Sequence, residues 1–107
     1  MVDKSVEIVI RQYRQAAQQA GIHVTRVVLF GSHARGTANH WSDIDIVVIA
    51  PELDDLHDRR LINKLWELRA HTDSRIEPIA CGQREWETDR ARPILEIARR
   101  EGIVIAA

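Results

Sequence analysis

The sequence predicts an α/β (α+β) fold: a small mixed sheet with helices packed against it. Three observations predict it. Apolar runs of strand length alternate with stretches of helical periodicity. Glycines and prolines fall at the joints between them. The chain has 107 residues, enough for one core and too few for two. Residues 1–107 are therefore expected to form a single domain.

Residues 4–20 read as an amphipathic helix, with Val6, Val9, Ile10, Tyr13, Ala16, Ala17 and Ala20 at helical spacing and Gly21 at the C-terminal cap. Val24 to Phe30 reads as a strand. Residues 32–36 suit a short helical turn, and Thr37 to Trp41 a loop. Residues 43–50 form a second strand, stopped by Pro51. Residues 54–70 predict a second long helix with Leu61, Ile62, Leu65 and Leu68 on its buried face. Arg75 to Cys81 is a third strand. Residues 83–92 have no clear period. Pro93 suits the first turn of a helix running to about Glu101 and closed by Gly102. Ile103 to Ile105 completes the chain as a short strand.

Composition narrows the function. The chain is 45% hydrophobic and 29% charged, with 15 basic and 16 acidic residues and a net charge of −1. That balance does not argue for a nucleic-acid binder working through bulk positive charge. Cys81 is the only cysteine, so neither an internal disulfide nor a clustered-cysteine metal site is expected. The first residues do not open a signal peptide, and no apolar run reaches membrane-spanning length. A cytoplasmic protein with no membrane partner is expected.

The candidate chemistry lies between residues 27 and 50. In Ser42-Asp43-Ile44-Asp45-Ile46-Val47-Val48 two aspartates stand one residue apart at a strand start. Strand side chains alternate, so Asp43 and Asp45 share a face. Like charges so placed repel, and a divalent cation between them removes the penalty. The oxygen donor set suits Mg²⁺, and two ions ~3.5–4 Å apart could share such carboxylates during phosphoryl transfer. Upstream, Gly31-Ser32-His33-Ala34-Arg35-Gly36 follows a strand. Gly31 admits close backbone approach, Ser32 offers a hydroxyl and a cap, and the helix start favours an anion. Arg35 is a candidate phosphate partner as well as a solvated helix arginine. The segment lacks the Walker A pattern. On the third strand Glu77 stands out of an apolar run. Beside the second strand it would face Asp43 and Asp45, where it could hold metal and accept a proton. Pro78 marks an edge strand or a bulge.

Gly31-Ser32, ten residues, then Asp43-Ile44-Asp45 resembles the signature of the DNA polymerase beta-like nucleotidyltransferase superfamily, above all its minimal nucleotidyltransferases. The likeness is sharp over residues 27–50 and looser through Glu77, where the family often has aspartate. It implies the polymerase beta-like fold, nucleoside-triphosphate binding with two Mg²⁺ ions, and transfer of a nucleoside monophosphate with release of pyrophosphate. It implies triphosphate contacts from Gly31 and Ser32, metal binding by Asp43 and Asp45, and a third acid at Glu77. AMP from ATP is the favoured donor on resemblance alone, since no residue selects adenine. Minimal members are often paired with a HEPN protein as toxin and antitoxin. The expected acceptor is accordingly a hydroxyl on such a partner, with an RNA end or a small molecule still open. The competing reading is an antitoxin that neutralises its partner by contact alone. Oligomeric state is not fixed by the residues.

Two other acidic-strand families fit less well. In a haloacid-dehalogenase phosphatase the apolar strand precedes the first aspartate, whereas here it follows. A restriction-type metallonuclease needs a lysine near the acidic strand, and neither Lys4 nor Lys64 supplies it. The remaining residues take plainer readings. His33 and His40 lie on the surface near the site; His23, His57 and His71 show no ligand spacing. Trp41 packs, or stacks on a base. Trp66 and Trp86 pack in the core or at an interface. Arg59-Arg60 and Arg99-Arg100 are solvated helix faces, and Cys81 is a buried small hydrophobe.

Overall fold

The computed structural model describes residues 2–55 and 59–106. Its elements, in order, are α1 (Lys4–Gln19), β1 (Arg26–Phe30), α2 (Ser32–Arg35), β2 (Ile44–Ala50), α3 (Arg59–Leu68), β3 (Ile76–Gly82), α4 (Gln83–Thr88), α5 (Pro93–Glu101) and β4 (Ile103–Ala106). The four strands form one mixed sheet in the order β3-β2-β1-β4. β1 lies antiparallel to both β2 and β4, and β2 lies parallel to β3. The mixed sheet with flanking helices is the architecture expected from the sequence.

Strand alternation builds a core on each face of the sheet. Val27, Leu29, Ile44, Ile46, Val48 and Ile76 meet Val6, Ile10, Tyr13 and Ala17 of α1 and Leu65 and Leu68 of α3. Val28, Phe30, Val47, Ile49 and Cys81 meet Leu95 and Ala98 of α5, with Trp86 of α4 packed at the margin. β1 and β2 are apolar on both faces because both are covered. The Tyr13 hydroxyl donates to the Leu65 carbonyl and fixes α1 against α3. Burial pushes the Tyr13 phenol well above its ordinary value.

Several boundaries differ from the sequence reading. α1 is capped at its start by the Asp3 carboxylate, which accepts the Ser5 N–H at 2.8 Å. The helix expected over residues 54–70 is shorter. Pro51–Asp54 makes a 3-10 turn, α3 covers Arg59–Leu68, and a second 3-10 turn spans Arg69–His71. Pro51, with its fixed φ and missing N–H, opens the first turn as well as ending β2. His57 lies outside the described residues. On α3 only Leu65 and Leu68 are buried; Leu61 and Ile62 are half-covered. Residues 83–92, without a clear period, contain the short helix α4.

Pro78 sits where the sheet tolerates it. β3 is an edge strand. The Ile44 N–H donates to the Arg75 carbonyl, so alternation sends the Glu77 backbone toward β2 and the Pro78 nitrogen toward the open edge.

Candidate active site

The site forms where β1 ends and β2 begins. In register, Phe30 of β1 is opposite Asp45 of β2, and Asp45 is opposite Glu77 of β3. Asp45 shares its face with Val47 and Ile49, and Glu77 shares its face with Ile79, all on the side covered by α5. The sheet thus places two acids side by side on one face. Asp43 lies one residue before β2, outside the strand and exposed, at the mouth of the same region.

Gly31 explains how the turn reaches the acid. Its backbone stands at φ 74°, ψ −154°, a region essentially closed to other residues. A Cβ added here would lie 2.3 Å from the Asp45 Oδ2. The carboxylate therefore rests against the Gly31 backbone, and no larger residue fits between them. Gly31 also occupies the N-cap position of α2, and among the described residues no side chain caps that helix. This corrects the capping role expected for Ser32, which is the first residue of α2. Gly36, left-handed at φ 77°, closes the helix after Arg35.

A cleft of about 430 Å³ opens over this junction. Gly31, Ser32, Arg35, Asp43 and Asp45 line it together with Ser42, Phe30, Ile94, Ile97 and Glu101. Five of the six residues singled out from the sequence thus converge on one cavity. Glu77 is not among its lining residues; it is the direct strand neighbour of Asp45. Burial raises the Asp45 pKa above the ordinary carboxylate value, and the charges of Asp43 and Glu77 raise it further; His33 and Arg35 pull it back. Arg35 is engaged with Glu101 at 3.0 Å across the cleft. The His33 ring reaches the Ser42 carbonyl at 3.4 Å and ties α2 to the loop before Asp43.

Among the described residues, no three His, Cys, Asp or Glu side chains already stand together as a complete metal-ligand set. The donor chemistry nevertheless fits Mg²⁺. Two carboxylates from the start of β2 supply hard oxygen ligands, and this ion takes its remaining ligands from phosphate and water. The raised pKa of Asp45 comes first from burial and then from the charges of Asp43 and Glu77, and a divalent cation would offset that charge.

Sequence reasoning missed the wall contributed by α5. Ile94, Ile97 and Glu101 recur at helical spacing, on a different side of α5 from the buried Leu95 and Ala98. That second stripe is the signal that could have found it. Trp41 is 81% exposed, its ring 4.7 Å from that of His40, so it does not pack in the core. Trp66 is 38% exposed, beneath the Arg69 guanidinium. Arg99 is not solvated: it donates to the carbonyls of Glu85, Trp86 and Asp89. A second cleft, of about 380 Å³, is lined by Asp3, Ser5, His33 and Arg75 among others. Among the described residues it brings no two carboxylates together. Asp3 is used to cap α1, and Arg75 is held by Asp73.

Residues 10–96 match the family model described as a nucleotidyltransferase domain. The chain belongs to that family. Two proteins of Methanocaldococcus jannaschii carry related segments. "Putative protein adenylyltransferase MJ1305" is 39% identical over 54 residues, covering 50% of this chain and 37% of that protein. "Putative protein adenylyltransferase MJ0141" is 40% identical over 40 residues, covering 37% of this chain and 40% of that one. The matches therefore span well under half the length of these relatives. Among solved structures, a "putative nucleotidyltransferase" from Sulfolobus solfataricus superposes with a TM-score of 0.62 at 13% identity, over 94% of this chain and 78% of that one. It shares the fold. A chain of a toxin-antitoxin crystal structure with AMP-PNP superposes with a TM-score of 0.57 at 26% identity, over 92% and 71%. The nucleotidyltransferase fold expected from the sequence is thus the fold observed.

Proposed function

We propose that residues 1–107 form one nucleotidyltransferase domain that moves a nucleoside monophosphate from a nucleoside triphosphate to a hydroxyl on a partner protein. The observation that carries this reading is the contact of the Asp45 carboxylate with the Gly31 backbone, between Asp43 and Glu77 and in one cleft with Ser32 and Arg35. A glycine turn and an acid pair so joined hold a polyphosphate and its counter-ions within one bond network.

Asp43 and Asp45 would hold two Mg²⁺ ions, with Glu77 as a further ligand beside Asp45. Bound there, the ions would neutralise phosphate charge and polarise the reacting centre. Gly31 and Ser32 would seat the triphosphate, and Arg35 would pair with its terminal charge. The acceptor oxygen attacks the α-phosphorus in line. The bond from that phosphorus to the bridging oxygen breaks, and pyrophosphate leaves. Glu77, beside Asp45 in the sheet though not lining the cleft, would assist removal of the proton from the attacking hydroxyl. AMP is the favoured nucleotide because both curated relatives are named adenylyltransferases and the toxin-antitoxin structure carries AMP-PNP. That same toxin-antitoxin structure supports a partner protein, and the family resemblance favours a HEPN-type toxin in the cytoplasm.

The test is intact-mass spectrometry of a purified HEPN-type partner after incubation with this chain, Mg²⁺ and each nucleoside triphosphate in turn. A nucleotide-sized mass increase, largest with ATP and absent with Asp43→Asn plus Asp45→Asn, is the expected result. No modification in either case, with the double variant neutralising the partner as well as wild type, would establish a contact-only antitoxin instead.

A further inference from the structure

Among the described residues, Arg35 is the only cationic side chain lining the 430 Å³ cleft, and it is already paired. Its Nη1 stands 3.0 Å from Glu101 Oε1, at the last residue of α5. Glu101 is thus a third carboxylate in a cavity proposed to receive a polyphosphate. Both partners are substantially exposed, so the pair is weak and exchangeable. An incoming phosphate offers Arg35 a stronger, more highly charged partner than a single carboxylate. It also brings negative charge against Glu101, which must then move away or lie unpaired beside a like charge.

We infer that Glu101 competes with the polyphosphate for Arg35 and so sets how tightly the cleft holds its triphosphate and its pyrophosphate product. This rests on the proposed nucleotide reading and adds a regulator of the same site. Glu101 weakens ground-state binding, and on the return step it recaptures Arg35 as pyrophosphate leaves. α5 thereby acts as more than a wall: its C-terminal residue is a binding determinant on an element that carries none of the predicted ligands.

The experiment uses inorganic pyrophosphate with Mg²⁺ as the probe, titrated calorimetrically into the whole chain. Four forms are compared: wild type, Glu101→Gln, Arg35→Gln and the double variant. Glu101→Gln keeps the shape of the side chain and should tighten binding roughly two- to five-fold, the range of an exposed ion pair released. Arg35→Gln should weaken binding. In its background Glu101→Gln should have a smaller effect, because the shared partner is gone. Unchanged or weaker binding by Glu101→Gln in a folded protein would overturn the inference. So would an equal effect of that change with and without Arg35. If wild type binds neither pyrophosphate nor triphosphate, the nucleotide reading itself fails, and this inference with it.

Discussion

At the scale of residues, Asp45 is where fold and function oppose each other. It is half-buried, next to Glu77 on one side and near Asp43 on the other, and burial and these charges raise its pKa. A carboxyl whose pKa is higher folded than unfolded binds its proton more tightly in the native state. Its charged form therefore costs stability at neutral pH. That cost disappears as pH falls through the folded pKa toward and below the unfolded value of 3.8. Asp45→Asn should accordingly raise the stability of the metal-free protein at pH 7 by roughly 0.2–1 kcal/mol, the scale of a cross-strand side-chain pair. The gain should shrink as the pH is lowered into the acid range. Urea denaturation of both forms across pH measures it. A variant less stable than wild type at pH 7 would mean that Asp45 contributes structure, not strain. The acid pair was legible because alternation along a strand needs no tertiary knowledge. Its contact with Gly31 was not, since it depends on the antiparallel placement of β1 beside β2.

At the scale of elements, the α4–α5 corner shows what periodicity omits. Residues 83–92 carry no clear pattern because α4 is a single short turn and a half, held from outside. Arg99, only 11% exposed, donates to the carbonyls of Glu85, Trp86 and Asp89 and stacks over the Trp86 ring at 4.8 Å. It satisfies the end of α4 from a different helix. Arg92 adds a bond to the Ala80 carbonyl and pairs with Glu85. From sequence, Arg99 and Arg100 look alike, two cations in the last turn of one helix. Their surroundings separate them, because Arg100 is exposed. Arg99→Ala should cost roughly 0.5–1.5 kcal/mol, the net worth of hydrogen bonds to partly buried carbonyls. Arg100→Ala should stay within about 0.5 kcal/mol of wild type. Thermal denaturation of the two single variants checks the contrast, and equal losses would refute the capping role. Helix α5 itself was legible at both ends, from Pro93 and Gly102, while the cleft-facing stripe of Ile94, Ile97 and Glu101 was not singled out.

At the scale of the whole molecule, one sheet between two helical layers brings the ends of three strands together. Local pattern sufficed for the strands and for α1, where apolar spacing and turn residues agree. The strand order β3-β2-β1-β4 did not follow from local pattern, and Glu77 beside Asp45 depends on it entirely. Among the described residues no helix is long and apolar enough to cross a membrane. The proposed function requires this junction to bind a nucleoside triphosphate through metal held by Asp43 and Asp45. Its most direct test is calorimetric titration of ATP into wild type and the Asp43→Asn, Asp45→Asn double variant, each with and without Mg²⁺. Mg²⁺ should tighten binding to wild type at least about ten-fold, a difference of ~1.4 kcal/mol, and the double variant should lose this dependence while remaining folded. Equal affinity in all four titrations would contradict it.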